Sequence, residues 1–225
     1  EIISLGGEVR FNNKLEKIVF SGGKLTEIIV SANGGEYSLP CADLILAIGH
    51  SARDTFAMLR EKGVLMEAKP FSVGVRIESL QADIDKGLYH SLAGHKALPK
   101  GEYQLSHHTK TRGVYTFCMC PGGVVVNASS EKDMVAVNGM SYSARDGKNA
   151  NSALLVEVRP QDLEGDDVLA GIYLQRLTEQ KAFEIDGGKV PFCYAGDILG
   201  NEYDKTKVLP TVLPSTVHCD IKKVL

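Results

Sequence analysis

A short turn after an apolar run has the residue types that best suit ligand binding. Residues 44–48 are all apolar, and Gly49, His50 and Ser51 follow at once. This composition is typical of a strand buried on both faces of a layered α/β sheet, and ligands of such sheets collect where the strands end. Small residues such as Ala47 and Gly49 let a ligand approach the main chain. Taken alone, the motif favours a plain strand-to-helix turn.

A second apolar segment contains two cysteines whose spacing would place them on the same face of a strand. Cys118 and Cys120 are separated by one residue, which on a strand places both side chains on the same side. They could relay electrons as a dithiol. The pattern favours small buried hydrophobic residues instead, because Cys-x-Cys on a strand has poor disulfide geometry.

The sequence gives little indication of a metal site or of a hydrolytic active site. His107 and His108 could join the cysteines in a Cys/His set, but the spacing matches no zinc motif, and we predict no metal site. No Ser-His-Asp, paired-carboxylate or P-loop constellation is present. The catalytic residues are therefore left unassigned.

A polar cluster at residues 145–152 precedes an apolar segment. Arg145 could bind a carboxylate or phosphate through two parallel hydrogen bonds, and Asn149 or Asn151 could orient a carbonyl. Polar clusters of this kind are also typical of ordinary turns. We carry Arg145 and Asn149 forward as candidate substrate-cavity residues.

The elements that must position these residues change in character along the chain. Residues 8–39 predict a β-meander with strands at 8–11, 15–21, 25–31 and 37–39, because Gly and Asn turns separate the apolar runs. A buried strand at 42–48 and a helix at 53–62 follow.

Beyond residue 66 the pattern is mainly that of half-buried strands. Strands are predicted at 71–78, 113–120, 124–128, 134–137 and 153–158, with a polar excursion at 90–112. Helices are predicted at 80–89 and 167–185. The sequence thus predicts an α+β fold with a mixed, largely antiparallel sheet.

Composition narrows the class of protein. The 225 residues are 44% hydrophobic with a net charge of −3, which excludes global disorder and gives no basis for nucleic-acid binding. We expect no membrane association, because no apolar window approaches the length of a span and no signal peptide is visible. The odd number of cysteines favours a reducing cytoplasm.

Four blocks together resemble a known family. Residues 47–55, 69–78, 117–123 and 138–141 are similar, in that order, to uncharacterised bacterial FAD-dependent dehydrogenases. The resemblance implies a parent with an N-terminal G-x-G-x-x-G strand-turn-helix and a C-terminal flavin-binding segment. The sequence contains no G-x-G-x-x-G. We reject residues 195–197, Ala-Gly-Asp, as the flavin-binding Gly-Asp pair, since the following Gly200 interrupts the expected helix.

The resemblance also implies roles for particular residues. The cofactor-binding candidates are Ala47, Gly49, His50 and Ser51. The strand-turn-strand around residues 121–123 is similar in layout to the cavity strands of geranylgeranyl-reductase-like flavoproteins, which makes Cys118, Cys120, Gly122 and Gly123 candidates for the cavity wall.

The resulting interpretation is an internal segment of a longer flavoprotein. Residues 1–65 would be a partial FAD-binding domain, namely a β-meander and a strand remnant of an α/β unit, and residues 66–225 an inserted substrate or cap domain. The intact parent would bind FAD, and the segment alone would bind it weakly or not at all. The expected partners are the missing flavin-binding segments and a small-molecule substrate. The alternative is a free-standing ligand- or protein-binding module without redox activity.

Overall fold

The chain folds into two compact units, and each is described by itself. The computed structural model describes residues 1–201, 208–212 and 215–224. Residues 1–67 form the first unit and residues 68–225 the second. The roles assigned to the two parts in the sequence analysis stay predictions. None of the helices in the described ranges is long and apolar enough to cross a membrane.

The first unit is built on an antiparallel meander. Strands β1 (Asn13–Ser21), β2 (Lys24–Ala32) and β3 (Gly35–Pro40) pair in chain order. The β1–β2 turn has positive φ at both of its glycines, residues 22 and 23, a conformation that costs glycine little. Ile18 and Val30 are the buried residues of the sheet.

The strand predicted at residues 8–11 is wrong. The pairing of β1 with β2 begins at Asn13 opposite Ala32, where β2 ends, so the residues before Asn13 have no strand beside them. Asn12 takes a positive φ of 57° and turns the chain away from the sheet. Phe11 is left 83% exposed.

The strand predicted at residues 42–48 is also absent. This segment runs without ladder hydrogen bonds, and Ile45 is 92% exposed. A strand needs a neighbour to satisfy its backbone groups, and the described part of the first unit offers none here. The helix predicted next is confirmed as α1 (Arg53–Glu61), whose Asp54 lies 2.9 Å from Lys14 of β1.

The second unit contains the predicted largely antiparallel sheet. Its strands are β4 (Phe71–Leu80), β5 (Ser106–His108), β6 (Gly113–Cys120) and β9 (Asn149–Val158), in the order β4-β9-β6-β5. Strands β7 (Gly123–Asn127) and β8 (Val137–Ser141) form a separate antiparallel pair. Short β10 (Val190–Phe192) and β11 (Thr216–His218) pair in parallel.

The helices of this unit are α2 (Gln81–Tyr89), α3 (Ala170–Glu184) and α4 (Ala195–Leu199). Both α2 and α3 lie within the predicted helices. A buried cluster of Val135, Ala182, Val190 and Val224 joins the end of α3 to β10 and the C-terminal turn. The α+β class with mostly antiparallel sheets is therefore confirmed.

Two strand boundaries in the second unit differ from the prediction. The strand expected at 134–137 lies instead at Val137–Ser141, because β7 pairs with it from Gly123 opposite Ser141 to Asn127 opposite Val137. Strand β9 begins four residues before its predicted start at residue 153, so it includes polar residues that had been assigned to a turn.

Candidate functional site

One face of the four-stranded sheet collects polar side chains around an arginine. Arg76 of β4 pairs with Ala153 of β9, which pairs with Phe117 of β6. Directly opposed residues of neighbouring strands project to the same face. Glu78 and Asn151 are also directly opposed, and two-residue spacing places them on this face too.

The Arg76 side chain forms hydrogen bonds to residues of three other strands. Its Nη1 donates to Asn151 Oδ1 at 2.5 Å, to the Cys118 carbonyl at 3.2 Å and to Cys120 Sγ at 3.8 Å. Its Nη2 donates to Asn138 Oδ1 of β8 at 3.3 Å. The half-buried guanidinium therefore joins β4, β6, β8 and β9 at a single point.

Asn151 is the most enclosed member of the group. Its side chain is fully buried, and its Oδ1 is occupied by Arg76. Its Nδ2 has no hydrogen-bond acceptor among the described residues. An unsatisfied buried donor costs about 1–3 kcal/mol, so this amide marks a polar position whose acceptor the described residues do not supply.

Gly139 of β8 allows the guanidinium to lie where it does. A methyl group built on Gly139 would overlap both Arg76 Nη1 and Asn151 Oδ1. Only a residue without a side chain leaves room for this contact. We name Arg76, Asn138, Gly139 and Asn151 the Arg76 cluster.

The two predicted thiols do not share a face. The ladder between β6 and β9 is irregular between Phe117 and Cys120, and Cys118 takes a positive φ of 50°. Such a bulge re-aims side chains, which leaves Cys118 exposed and Cys120 buried. The expectation of one shared face is therefore wrong.

Burial also shapes the chemistry of Cys120. Removal from water raises the pKa of its thiol above the ordinary value, and the nearby Arg76 charge only partly opposes this. A thiol with a raised pKa is a poor nucleophile. The structure favours the interpretation of Cys120 as a small buried residue. Within the described ranges, no group of three or more His, Cys, Asp or Glu side chains could hold a metal ion.

Gly122 and Gly123 lie in a buried turn between the two sheets. The Gly122 amide donates to Gln81 Oε1 at 2.7 Å, and its carbonyl accepts from the Gly147 amide at 3.1 Å. A side chain on Gly122 would overlap the Arg145 carbonyl. The glycines are thus required by close backbone packing, and their place in a cavity wall stays a prediction.

The two candidates of the polar cluster are separated by the fold. Arg145 lies at the surface and pairs with Glu102 at 2.5 Å. Asn149 is buried, and its Nδ2 donates to Glu78 Oε2 at 3.2 Å and to the Leu209 carbonyl at 2.9 Å. Their substrate roles remain predictions, and neither side chain has a recorded contact with the Arg76 cluster.

The cofactor candidates lie in the first unit. Ala47, Gly49 and His50 are exposed and Ser51 is half-buried. Gly49 takes a positive φ of 70°, and His50 Nε2 lies 3.3 Å from Ser51 Oγ. Two open concavities in this unit, of about 590 and 350 Å³, include none of these four residues.

The sequence pattern did not indicate the Arg76 cluster as a site. Residues 69–78 and 138–141 supported the family resemblance but suggested no role for Arg76, Asn138 or Gly139. Asn151 was predicted only as one of two asparagines that could orient a carbonyl. A single arginine inside an alternating, half-buried strand was the available signal, because burying its charge is costly without compensating partners.

Comparisons with known proteins bear on the whole chain. A model of the family described as "FAD-dependent protein, C-terminal domain-like" matches residues 70–225. A relative from Clostridium beijerinckii (strain ATCC 51743 / NCIMB 8052), described as an uncharacterized protein, is 48% identical over 219 residues. The alignment covers 96% of this chain and 40% of that relative, so the chain spans less than half of the relative's length. Since the family model matches most of the chain, the protein belongs to the family of FAD-dependent proteins described as C-terminal domain-like.

Proposed function

We propose that this chain is a segment of an FAD-dependent oxidoreductase and that its second unit faces the substrate. The family match over residues 70–225 is the observation that carries the proposal. The Arg76 cluster supports it, because a polar group gathered on one sheet face is the kind of surface that orients a substrate. A cytoplasmic location belongs to the same proposal, since all five cysteines are free.

The described residues fit one edge of a flavin site. The Gly49-His50-Ser51 turn exposes its main chain, and the space beside Gly49 is open, so a cofactor could approach the backbone there. Bound FAD would supply the hydride or electron transfer. The part of this chain is to hold the substrate and to exclude water around it.

Flavin content of the full-length protein tests the proposal. We expect it to purify yellow, with FAD that is released on denaturation and detected by absorbance. A folded, colourless full-length protein that takes up no added FAD would overturn the assignment as an oxidoreductase.

A second experiment tests which part of the full-length protein binds FAD. We expect the 225-residue chain, titrated with FAD in a calorimeter, to bind it far more weakly than the full-length protein does. The sequence contains no G-x-G-x-x-G loop to hold the phosphates. Tight, stoichiometric binding by the chain alone would contradict this.

The alternative function is a free-standing ligand-binding module without redox activity. The Arg76 cluster is compatible with it, since binding needs no flavin. The reading frame of the gene separates the two functions. An upstream G-x-G-x-x-G in the same frame supports the oxidoreductase, whereas an initiator Met codon shortly before residue 1 and a stop codon near Leu225 support the module.

A further inference from the structure

Arg76 differs from the other arginines of the second unit in having no carboxylate partner among the described residues. The other four form the ion pairs Arg112–Asp162, Arg145–Glu102, Arg159–Glu157 and Arg176–Glu131. The acceptors of Arg76 among the described residues are two asparagine oxygens, a carbonyl and a thiol, all neutral. The nearest acidic residue along its strand, Glu78, is engaged by Thr211 and Asn149 instead. Within the described part of the chain, the half-buried charge of Arg76 thus has no paired carboxylate.

The unused donors of Arg76 have a defined arrangement. Nη1 serves three acceptors and Nη2 serves Asn138, whereas the Nε–H and the second Nη2–H have no acceptor in the described ranges. In a guanidinium, the Nε–H and one of the Nη2–H groups lie on the same edge and point in parallel. That spacing matches the two oxygens of a carboxylate.

Asn151 adds a second, independent indication. Its buried Nδ2 belongs to the same amide whose oxygen contacts Arg76, and it too lacks an acceptor within the described ranges. The cluster therefore has donors without a protein acceptor on two side chains, and no carboxylate among the described residues receives them. Such a set of donors is complementary to an anion.

The surface beside Arg76 on the same sheet face is apolar. Ala153 is its direct neighbour, and Phe117, 60% exposed, is the next residue across the sheet. Two strand spacings, about 10 Å, separate the backbones of Arg76 and Phe117. The short side chain of Ala153 lies between the longer side chains of Arg76 and Phe117 on this face.

We propose that Arg76 binds the carboxylate of a small organic acid whose apolar body lies over Ala153 toward Phe117. This names the substrate class of the proposed oxidoreductase, and it rests on that proposal only in treating the ligand as the substrate. A carboxylate side chain from a part of the full-length protein outside this chain would have the same chemistry, and the experiment must separate it from a free acid.

Titration of the full-length protein with benzoate and with benzamide tests the inference. The two probes have nearly the same shape, but only benzoate is charged. We expect benzoate to bind measurably in a calorimeter and benzamide to bind at least about tenfold more weakly, because charge-assisted hydrogen bonds contribute about 1.5–3 kcal/mol.

Three variants assign the effect to Arg76. Arg76→Gln should lower benzoate affinity on the order of tenfold to a hundredfold and abolish the preference over benzamide. Arg76→Lys keeps the charge without the paired donors and should recover only part of the affinity. The control Arg159→Gln, at an exposed arginine that pairs with Glu157, should bind both probes as the unaltered protein does.

Three outcomes overturn the inference: no benzoate binding, equal binding of the two probes, or unchanged benzoate affinity in Arg76→Gln. If a side chain of the same protein occupies the site, benzoate does not bind and Arg76→Gln instead lowers the melting temperature. Flavin absorbance of the same samples separates the two proposals. If the protein is colourless but binds benzoate through Arg76, the carboxylate site is supported and the redox role is contradicted. If the protein is yellow but does not bind benzoate through Arg76, the redox role is supported and the carboxylate site is contradicted.

Discussion

Gly139 and Arg76 show how one small residue fixes the position of a charge. The guanidinium lies against the Gly139 backbone, where any side chain would collide with Arg76 Nη1. Asn151 holds the same nitrogen from the neighbouring strand at 2.5 Å. The orientation of Arg76 is therefore set by packing as well as by hydrogen bonds, which is what a binding group needs if it is to meet its ligand without reorganising.

Gly139→Ala tests this dependence. We expect the variant to lose about 1–3 kcal/mol of unfolding free energy, because inserted atoms force neighbours from their positions, and to lose benzoate affinity although Arg76 is intact. Urea denaturation measures the first effect. The control is Gly87→Ala in α2, where the space is open, and it should be neutral or gain up to about 1 kcal/mol. Equal losses in both variants would contradict the packing argument.

A second residue-scale prediction concerns the ion pair of Arg112 and Asp162. Arg112 Nη1 and Nη2 donate to the two carboxylate oxygens at 2.6 and 2.7 Å. This pairing, with the Arg159 amide, lowers the pKa of Asp162 from its ordinary 3.8 to about 2. Because the folded pKa lies below the unfolded one, the stabilisation is present above about pH 4 and is lost as the pH falls toward 2.

Asp162→Asn should accordingly lower the melting temperature at pH 7, and its difference from the unaltered protein should shrink between pH 4 and pH 2. Thermal denaturation followed by circular dichroism at several pH values measures this. The exposed neighbour Glu164, changed to Gln, is the control and should leave the profile unaltered. A difference that stays constant down to pH 2 would show that the ion pair does not stabilise the fold.

At the scale of elements, one buried glutamine connects three segments of the second unit. Gln81, the first residue of α2, is 2% exposed. Its Oε1 accepts from the Gly122 amide, and its Nε2 donates to Asp85 Oδ1 and to the Gly101 carbonyl. The turn between β6 and β7 is thus held against the start of a helix, and the position of the bulge near Cys118 depends on that turn.

Gln81→Ala should therefore be among the more damaging substitutions. Removing the side chain leaves the buried Gly122 amide and Gly101 carbonyl without partners, at about 1–3 kcal/mol for each group. We expect a loss of at least about 2 kcal/mol in chemical denaturation. The exposed Gln161→Ala serves as the matched control and should change stability by less than about 0.5 kcal/mol. Comparable effects in the two variants would show that the hydrogen bonds of Gln81 do not stabilise the fold.

The elements that could be predicted from sequence are those whose pattern is local. The hairpins of the meander, β4, β6 and α3 each carry their signal within a few residues, and each is confirmed. The Arg76 cluster was not predictable in this way. It depends on pairing β4 with β9 across more than 70 residues of chain and on the bulge at Cys118, neither of which leaves a local pattern.

At the scale of the whole molecule, residues 42–48 carry the signal of a buried strand but are not paired in the structure. Apolar side chains such as Ile45 and Ile48 are exposed there, and the amides of residues 44–48 donate no backbone hydrogen bond to another described residue. The apolar sequence of residues 42–48 predicts burial, whereas the segment is exposed and unpaired. This difference is expected if the neighbouring strands belong to another part of the full-length protein.

Hydrogen exchange tests that explanation. In the 225-residue chain the amides of residues 44–48 should exchange nearly as fast as unprotected ones, whereas those of β9 should be protected. In the full-length protein we expect residues 44–48 to become protected, because a flanking sheet would pair with them. Fast exchange of this segment in both forms would contradict a buried strand and would favour a plain exposed connection.

The central position of β9 has a consequence for how the protein is made. This strand lies between β4 and β6, so it is one of the two inner strands of a sheet whose other three strands all precede it in the chain. During synthesis β4 and β6 emerge first, and the strand that joins them arrives only when residues 149–158 leave the ribosome. Until then their apolar faces are open to non-native association. A ribosome that stalls before residue 149 would therefore release a chain prone to aggregation, whereas one that stalls after residue 158 would release all four strands of the sheet.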